Sequence, residues 1–180
     1  CNAYGVCGIY SAPGTAVKEA YDTSGIVTND RGVTVWLKGN RVSRNQIMAI
    51  KEESVTEQKN SLAVCLDNIL RHAGITRNTE YDLAQGKTAT TILSENMTGV
   101  QVLDLSGCTL DAVLYYVNQD IPVLAILEDG EAVLVTGFNE FNVVIMEPAT
   151  GKLYKKGMND ATAWFAENGN HFITYMRIEN

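Results

Sequence analysis

The chain lacks the features that assign most small domains to a function. It has two histidines, His72 and His171, and its four cysteines, at 1, 7, 65 and 108, include no Cys-x-x-Cys pair and no His at metal-ligand spacing. A structural zinc site is not the reading of those cysteines, and no metal or cofactor is expected. Cations are few: 14 Lys and Arg stand against 21 Asp and Glu, a formal net charge of -7. No basic run interleaved with aromatics occurs, which argues against a nucleic-acid surface. No apolar run approaches the length of a membrane span, and no signal peptide is recognisable, although the chain could be the mature part of an exported protein.

What is present is apolar content, 46% of 180 residues, enough for one sizeable core or a core with a small appendage. The stretch QKNSLAVCLDNILRHAG, Gln58 to Gly74, is the helix around which that core is expected to form. Leu62, Leu66, Ile69, Leu70 and Ala73 recur at helical spacing on one face, Asn60 or Ser61 can cap the start, and Gly74 can end it. Beside that face runs a polar stripe of Ser61, Cys65, Asn68 and His72. A nucleophile at such a helix start is favoured by the free N–H groups and the macrodipole. Ser61 cannot use His72, because eleven residues at about 1.5 Å rise place them roughly 16 Å apart. Cys65 and His72, two turns apart, are also too distant for direct proton transfer.

The cysteines admit several readings. Cys65 and Cys108 read as buried free thiols before they read as a disulfide between them. Cys108 lies just before a helix start, where a low thiol pKa is conceivable, but packing is the preferred role. Cys1 is the end of a fragment, a lipid-modified first residue, or a nucleophile using its own amine; the first is preferred.

Residues 1–50 differ from the rest. GIVTNDRGVTVWLKGNRVSRNQI alternates around Asn29-Asp30-Arg31-Gly32 and Lys38-Gly39-Asn40, predicting three strands joined by two tight turns. This β-meander is too short to stand alone, so residues 1–50 are an extension packed on the main domain or the end of a preceding module. Lys51 to Lys59 is a charged connector, and residues 51–180 form the main domain. Within it, short helices are predicted at about 80–84 and 89–96, then a strand VQVLDL and a helix LDAVLYYVNQD started by Thr109 or Asp111. After Pro122 come strands PVLAIL, EAVLVTGF, NVVIMEP and KLYKK, a helix MNDATAWFAENG, and a last strand HFITYMR opened by His171. Asn96-Met97-Thr98 matches a glycosylation sequon, a frequent chance match.

A long helix carrying the nucleophile at its start, followed by small helices and an antiparallel sheet, resembles the layout of papain-like cysteine peptidases. The segment from about Val55 to Tyr175 is more closely similar to the bacteriocin-leader-processing branch. Ser61, Cys65, Leu66 and Gly74 fall at that branch's helix spacings. Asp129-Gly130-Glu131-Ala132-Val133 with Gly137-Phe138 resembles its Gly-His-Ala-Val strand and Gly-aromatic pair, and Glu147-Pro148 resembles its Asp-Pro. The resemblance implies an α+β, papain-like fold with the central helix on an antiparallel sheet. It puts Ser61 in the nucleophile position, Glu131 in the histidine position, Glu147 in the aspartate position and Val55 where an oxyanion-hole glutamine is expected, with Gln58 nearby but out of step.

Every implied catalytic slot is thus altered. A serine without a base is a poor nucleophile, and a carboxylate does not replace imidazole near neutral pH unless its pKa is strongly raised. The expected function is that of a catalytically inactive, peptidase-like domain of an exported bacterial protein, extracellular or in the cell envelope, used for binding a peptide or protein segment or for structure. The alternative is an active cysteine peptidase or thiol hydrolase with a rearranged site using Cys65. If both hold those positions, Glu131 and Glu147 face one partly buried site; the alternative is that Glu131, directly after the Asp129-Gly130 turn, points into water. The sequence leaves the oligomeric state open.

Overall fold

The structure, a computed structural model, describes residues 5, 7–38 and 60–179. Its elements in chain order are α1 (Pro13–Thr23), β1 (Ile26–Thr28), β2 (Thr34–Leu37), α2 (Ser61–His72), α3 (Glu80–Ala84), α4 (Ala89–Asn96), β3 (Val100–Asp104), α5 (Leu110–Val117), β4 (Val123–Ile126), β5 (Ala132–Phe138), β6 (Asn142–Met146), β7 (Leu153–Gly157), α6 (Met158–Glu167) and β8 (His171–Arg177).

The central helix forms for the reasons its sequence contains. Asn60 is the cap: its Oδ1 accepts from the N–H groups of Leu62 at 2.9 Å and Ala63 at 3.3 Å, satisfying two donors that the first turn leaves open. Gly74 ends the helix at φ +85, a left-handed conformation that a side chain would strain. Cys65, Leu66, Ile69 and Leu70 are wholly buried. Each of the larger ones gains about 1.5–3 kcal/mol from that burial. α2 packs mainly on β5, whose seven residues are all buried.

β5 sits inside a six-stranded sheet, ordered β3-β8-β4-β5-β6-β7 and antiparallel at every pairing. The Asp129-Gly130 turn, the turn closed by the Asn139 N–H on the Asn142 carbonyl, and the Ala149-Thr150-Gly151 turn make β4, β5, β6 and β7 sequential neighbours. Thr88 and Thr109 cap α4 and α5, with Oγ1 accepting from Thr91 and Ala112 at 3.3 Å. Cys65 and Cys108 are buried free thiols, whereas Cys7 is disulfide-bonded.

The loop between α2 and α4 is fastened by a buried carboxylate. Asp82, 3% exposed, takes a bidentate approach from Arg77 at 3.0 Å and has Lys87 at 3.5 Å. Thr79 ties the same loop back to α2, its N–H donating to Asp67 at 2.8 Å and its hydroxyl to the Ala63 carbonyl at 3.2 Å. Removing the carboxylate leaves Arg77 without this partner, while Lys87 keeps Glu95, so Asp82→Ala is expected to cost about 1–3 kcal/mol. Urea unfolding followed by circular dichroism checks it, and an unchanged midpoint would refute the fastening role.

The N-terminal region differs from expectation. Turn Asn29–Gly32 does join two strands: Asn29 Oδ1 accepts from Arg31 and Val33 N–H at 3.0 and 2.9 Å, and Gly32 adopts φ +76. The expected third strand, the second turn and the charged connector lie outside the described residues apart from Lys38. Before the hairpin stands α1, which the meander reading does not contain. Its buried residues are small, Gly14, Ala16, Val17 and Ala20, and its start has no side-chain cap, so the apolar period is weak. Gly14 is required there, since a Cβ would meet the carbonyl oxygens of Asp104 and Ser106 at 3.1 Å. Val17, Ala20, Val35 and Trp36 share one core cluster with α2, α5 and the sheet. Trp36 Nε1 donates to the Ala112 carbonyl at 3.0 Å and the Tyr116 hydroxyl to the Val35 carbonyl at 2.8 Å, tying β2 to α5.

Candidate functional site

Ser61 is the first residue of α2, and its Oγ accepts a 2.9 Å hydrogen bond from the backbone N–H of Ala132, the first residue of β5. That contact spans 71 residues of sequence and brings the helix start against the residue that follows Glu131. The approach is set by the β4–β5 turn. Leu127 N–H donates to the Glu131 carbonyl at 2.8 Å, Glu131 N–H donates to Asp129 Oδ1 at 2.9 Å, and Gly130 takes φ +86. The Glu131 side chain is exposed.

Cys65, one turn further along α2, lies behind this point and has no exposed surface. Its thiol is pushed far above the usual range, first by burial and then by the Glu131 carboxylate. A thiol so placed stays protonated and is not a nucleophile. Cys108 is likewise pushed up, to about 11, chiefly by burial, and its Sγ donates to the Gly14 carbonyl at 3.3 Å. The low pKa that its position before α5 allows does not arise.

Glu147 follows the last residue of β6. Leu134 is paired with Met146, so Glu147 is carried to the end of the sheet at which Glu131 stands. Its carboxylate is exposed and accepts from Thr150 Oγ1 at 3.0 Å within its own turn, close enough to Tyr154 to raise that phenol together with burial. The expected partly buried pair of Glu131 and Glu147 is therefore not formed: both side chains face solvent, and Glu131 acts on Cys65 while Glu147 is held by Thr150. Ser61, Cys65 and Glu131 are brought together; Glu147 shares their end of the sheet. Val55, Gln58 and Cys1 lie outside the described residues.

Neither histidine completes the site. His72 is at the other end of α2, its Nε2 within 2.8 Å of the Asp120 carbonyl. His171 opens β8 opposite Ile126, which is itself opposite Ala132. Its backbone is thus two strands, about 10 Å, from Ala132. Asn96 of the sequon donates its Nδ2 to the Ile92 carbonyl at 2.8 Å. Among the described residues no group of His, Cys, Asp and Glu is arranged to hold a metal, and no helix is long and apolar enough to cross a membrane.

The partner that sequence reasoning misses is the Ala132 N–H. A main-chain donor has no residue type to betray it, and only the packing of α2 on β5 brings it to Ser61. Chemically, the assembly offers a hydroxyl already engaged as an acceptor, a solvent-facing carboxylate and an inaccessible thiol.

No protein-family model matches the chain, and no curated protein matches it. Among solved structures it is similar to the crystal structure of a Bacillus anthracis protein designated a C39-like peptidase. The TM-score is 0.62 at 13% sequence identity, and the match covers 74% of this chain and 98% of that one. At this identity the likeness concerns the fold, and the fold is α+β and papain-like, with the central helix on an antiparallel sheet.

Proposed function

We propose that the chain is a peptidase-like domain without catalytic activity, serving binding or structure in an exported bacterial protein. The observation that carries this reading is the Ser61–Ala132 contact with Glu131 beside it: the helix start and strand that would hold a nucleophile and its base hold a hydroxyl and a carboxylate. A serine lacking a base is not activated, and nothing in the assembly supplies imidazole. The altered motifs around Glu131 and Glu147 support descent from the bacteriocin-leader-processing branch. On this reading residues 51–180 are the peptidase-like unit and residues 1–50 an extension of it. Export is supported by the disulfide at Cys7, a bond that persists in oxidising compartments.

The competing reading, hydrolysis by Cys65, requires an exposed thiolate, and both burial and the nearby carboxylate oppose that. The test is to incubate the folded chain with a mixture of unstructured peptides and, in parallel, with iodoacetamide. No cleavage is expected, and Cys65 and Cys108 stay unlabelled until the protein is unfolded. Rapid labelling of Cys65 accompanied by loss of a hydrolytic activity would establish the competing reading instead.

A further inference from the structure

A cleft of ≈720 Å³ opens between residues 7–12, α1 and the β1–β2 hairpin, with Gln101 of β3 also lining it. None of its lining residues belongs to α2, β5 or β6, so it is separate from the Ser61–Glu131 region. Its floor is apolar, with Ala16, Ala20 and Val35 buried, and its rim carries Ile9, Tyr10 and Ile26, which are 103%, 42% and 50% exposed. Those are three of the seven large apolar side chains exposed among the described residues, a concentration that marks an interaction surface rather than scatter.

The charge of the cleft is one-sided. Among the described residues Glu19 and Asp30 line it, and no Lys, Arg or His does. A neighbouring cation is directed elsewhere. Lys38 donates to the Tyr21 carbonyl at 2.9 Å and stands over the Tyr21 ring. Arg31 follows Asp30 in the turn but is not among the lining residues. Both carboxylates are exposed, as are the apolar side chains of the rim. This is the anatomy of a protein-interface patch; a small-molecule pocket encloses its polar determinants.

We propose that this cleft binds a short peptide segment of a protein partner in which a Lys or Arg stands among apolar side chains. The apolar side chains cover Ile9, Tyr10 and Ile26, and the cation meets Glu19 and Asp30. The site works whatever the fate of Ser61, because it shares no residue with that region.

The experiment uses the full chain and two fluorescent six-residue peptides, one alternating Leu and Lys, the other Leu and Glu, read by anisotropy at low and high salt. The Leu-Lys peptide is expected to bind at least about ten-fold more tightly, with an affinity that falls as salt rises. Glu19→Gln combined with Asp30→Asn, both exposed and isosteric, is expected to weaken it about five-fold or more. Glu131→Gln leaves binding unchanged, which separates this site from the other. Equal affinity for both peptides, no binding of either, full affinity in the double variant, or displacement by butylammonium at the same concentration as the peptide would overturn the proposal.

Discussion

Trp36→Ala is expected to destabilise the whole protein by about 3–5 kcal/mol, the range for truncating a large buried aromatic. Three losses coincide. A side chain 2% exposed leaves a cavity, the Ala112 carbonyl loses its Nε1–H donor at 3.0 Å, and tilted ring contacts with Tyr21 and Tyr115, at centroid separations of 6.3 and 6.2 Å, disappear. Because Trp36 belongs to the same core cluster as Leu66, Tyr116 and Leu134, the effect should not stay within the N-terminal region. Urea unfolding followed by far-UV circular dichroism checks this. A single transition moved to lower urea is expected, whereas an unmoved main transition preceded by a small separate one would show that the hairpin folds apart from the sheet.

Alkali is expected to act through the buried thiols. Both Cys65 and Cys108 have folded pKa values raised by burial, the latter to about 11, while an unfolded thiol titrates near about 8.5. The folded state therefore holds its thiol protons more tightly than the unfolded state. This contribution is fully present below the unfolded pKa and is lost as pH rises from there through the folded value. Each thiol steepens the loss by up to about 1.4 kcal/mol per pH unit, so between about pH 8.5 and 10 the two together remove up to about 4 kcal/mol. Tyr116 and Tyr175, also raised by burial, add a loss of the same sign above about pH 10. Urea midpoints across this interval check the slope, which Cys65→Ala and Cys108→Ala should each reduce. A stability flat between pH 8 and 10 would contradict it.

How much of this could be read from the chain follows from where the information is stored. The main-domain strands and α2 to α6 are written locally. Leu66, Ile69 and Leu70 repeat at helical spacing, Thr88 and Thr109 precede their helices, and Asp129-Gly130 separates two apolar runs, so those elements stand where expected. α1 was not legible because its inward residues are alanines, a valine and a glycine. Their small size is what allows close packing on the β3–α5 loop, and it also erases the periodic signal. At the candidate site the side-chain identities were visible, but their geometry was not. Nothing in Glu147 announces that Thr150 will hold its carboxylate, and Glu131 acts on Cys65 only once β5 is laid on α2. The cleft is lined by residues between 7 and 35 together with Gln101, and it exists only once α1 and the hairpin are folded beside one another.

The central proposal is that Ser61 and residue 131 hold the positions of a nucleophile and its base, with the chemistry replaced. It is tested most directly by the iodoacetamide rate of Ser61→Cys, measured against pH with and without Glu131→His. Beside Glu131 the introduced thiol meets a like charge on ionising and should react slowly below pH 8, whereas an imidazole in that place should raise its rate near pH 6.5 by about ten-fold or more. Identical pH–rate profiles for the two variants would contradict the account, because residue 131 would then not face the start of α2.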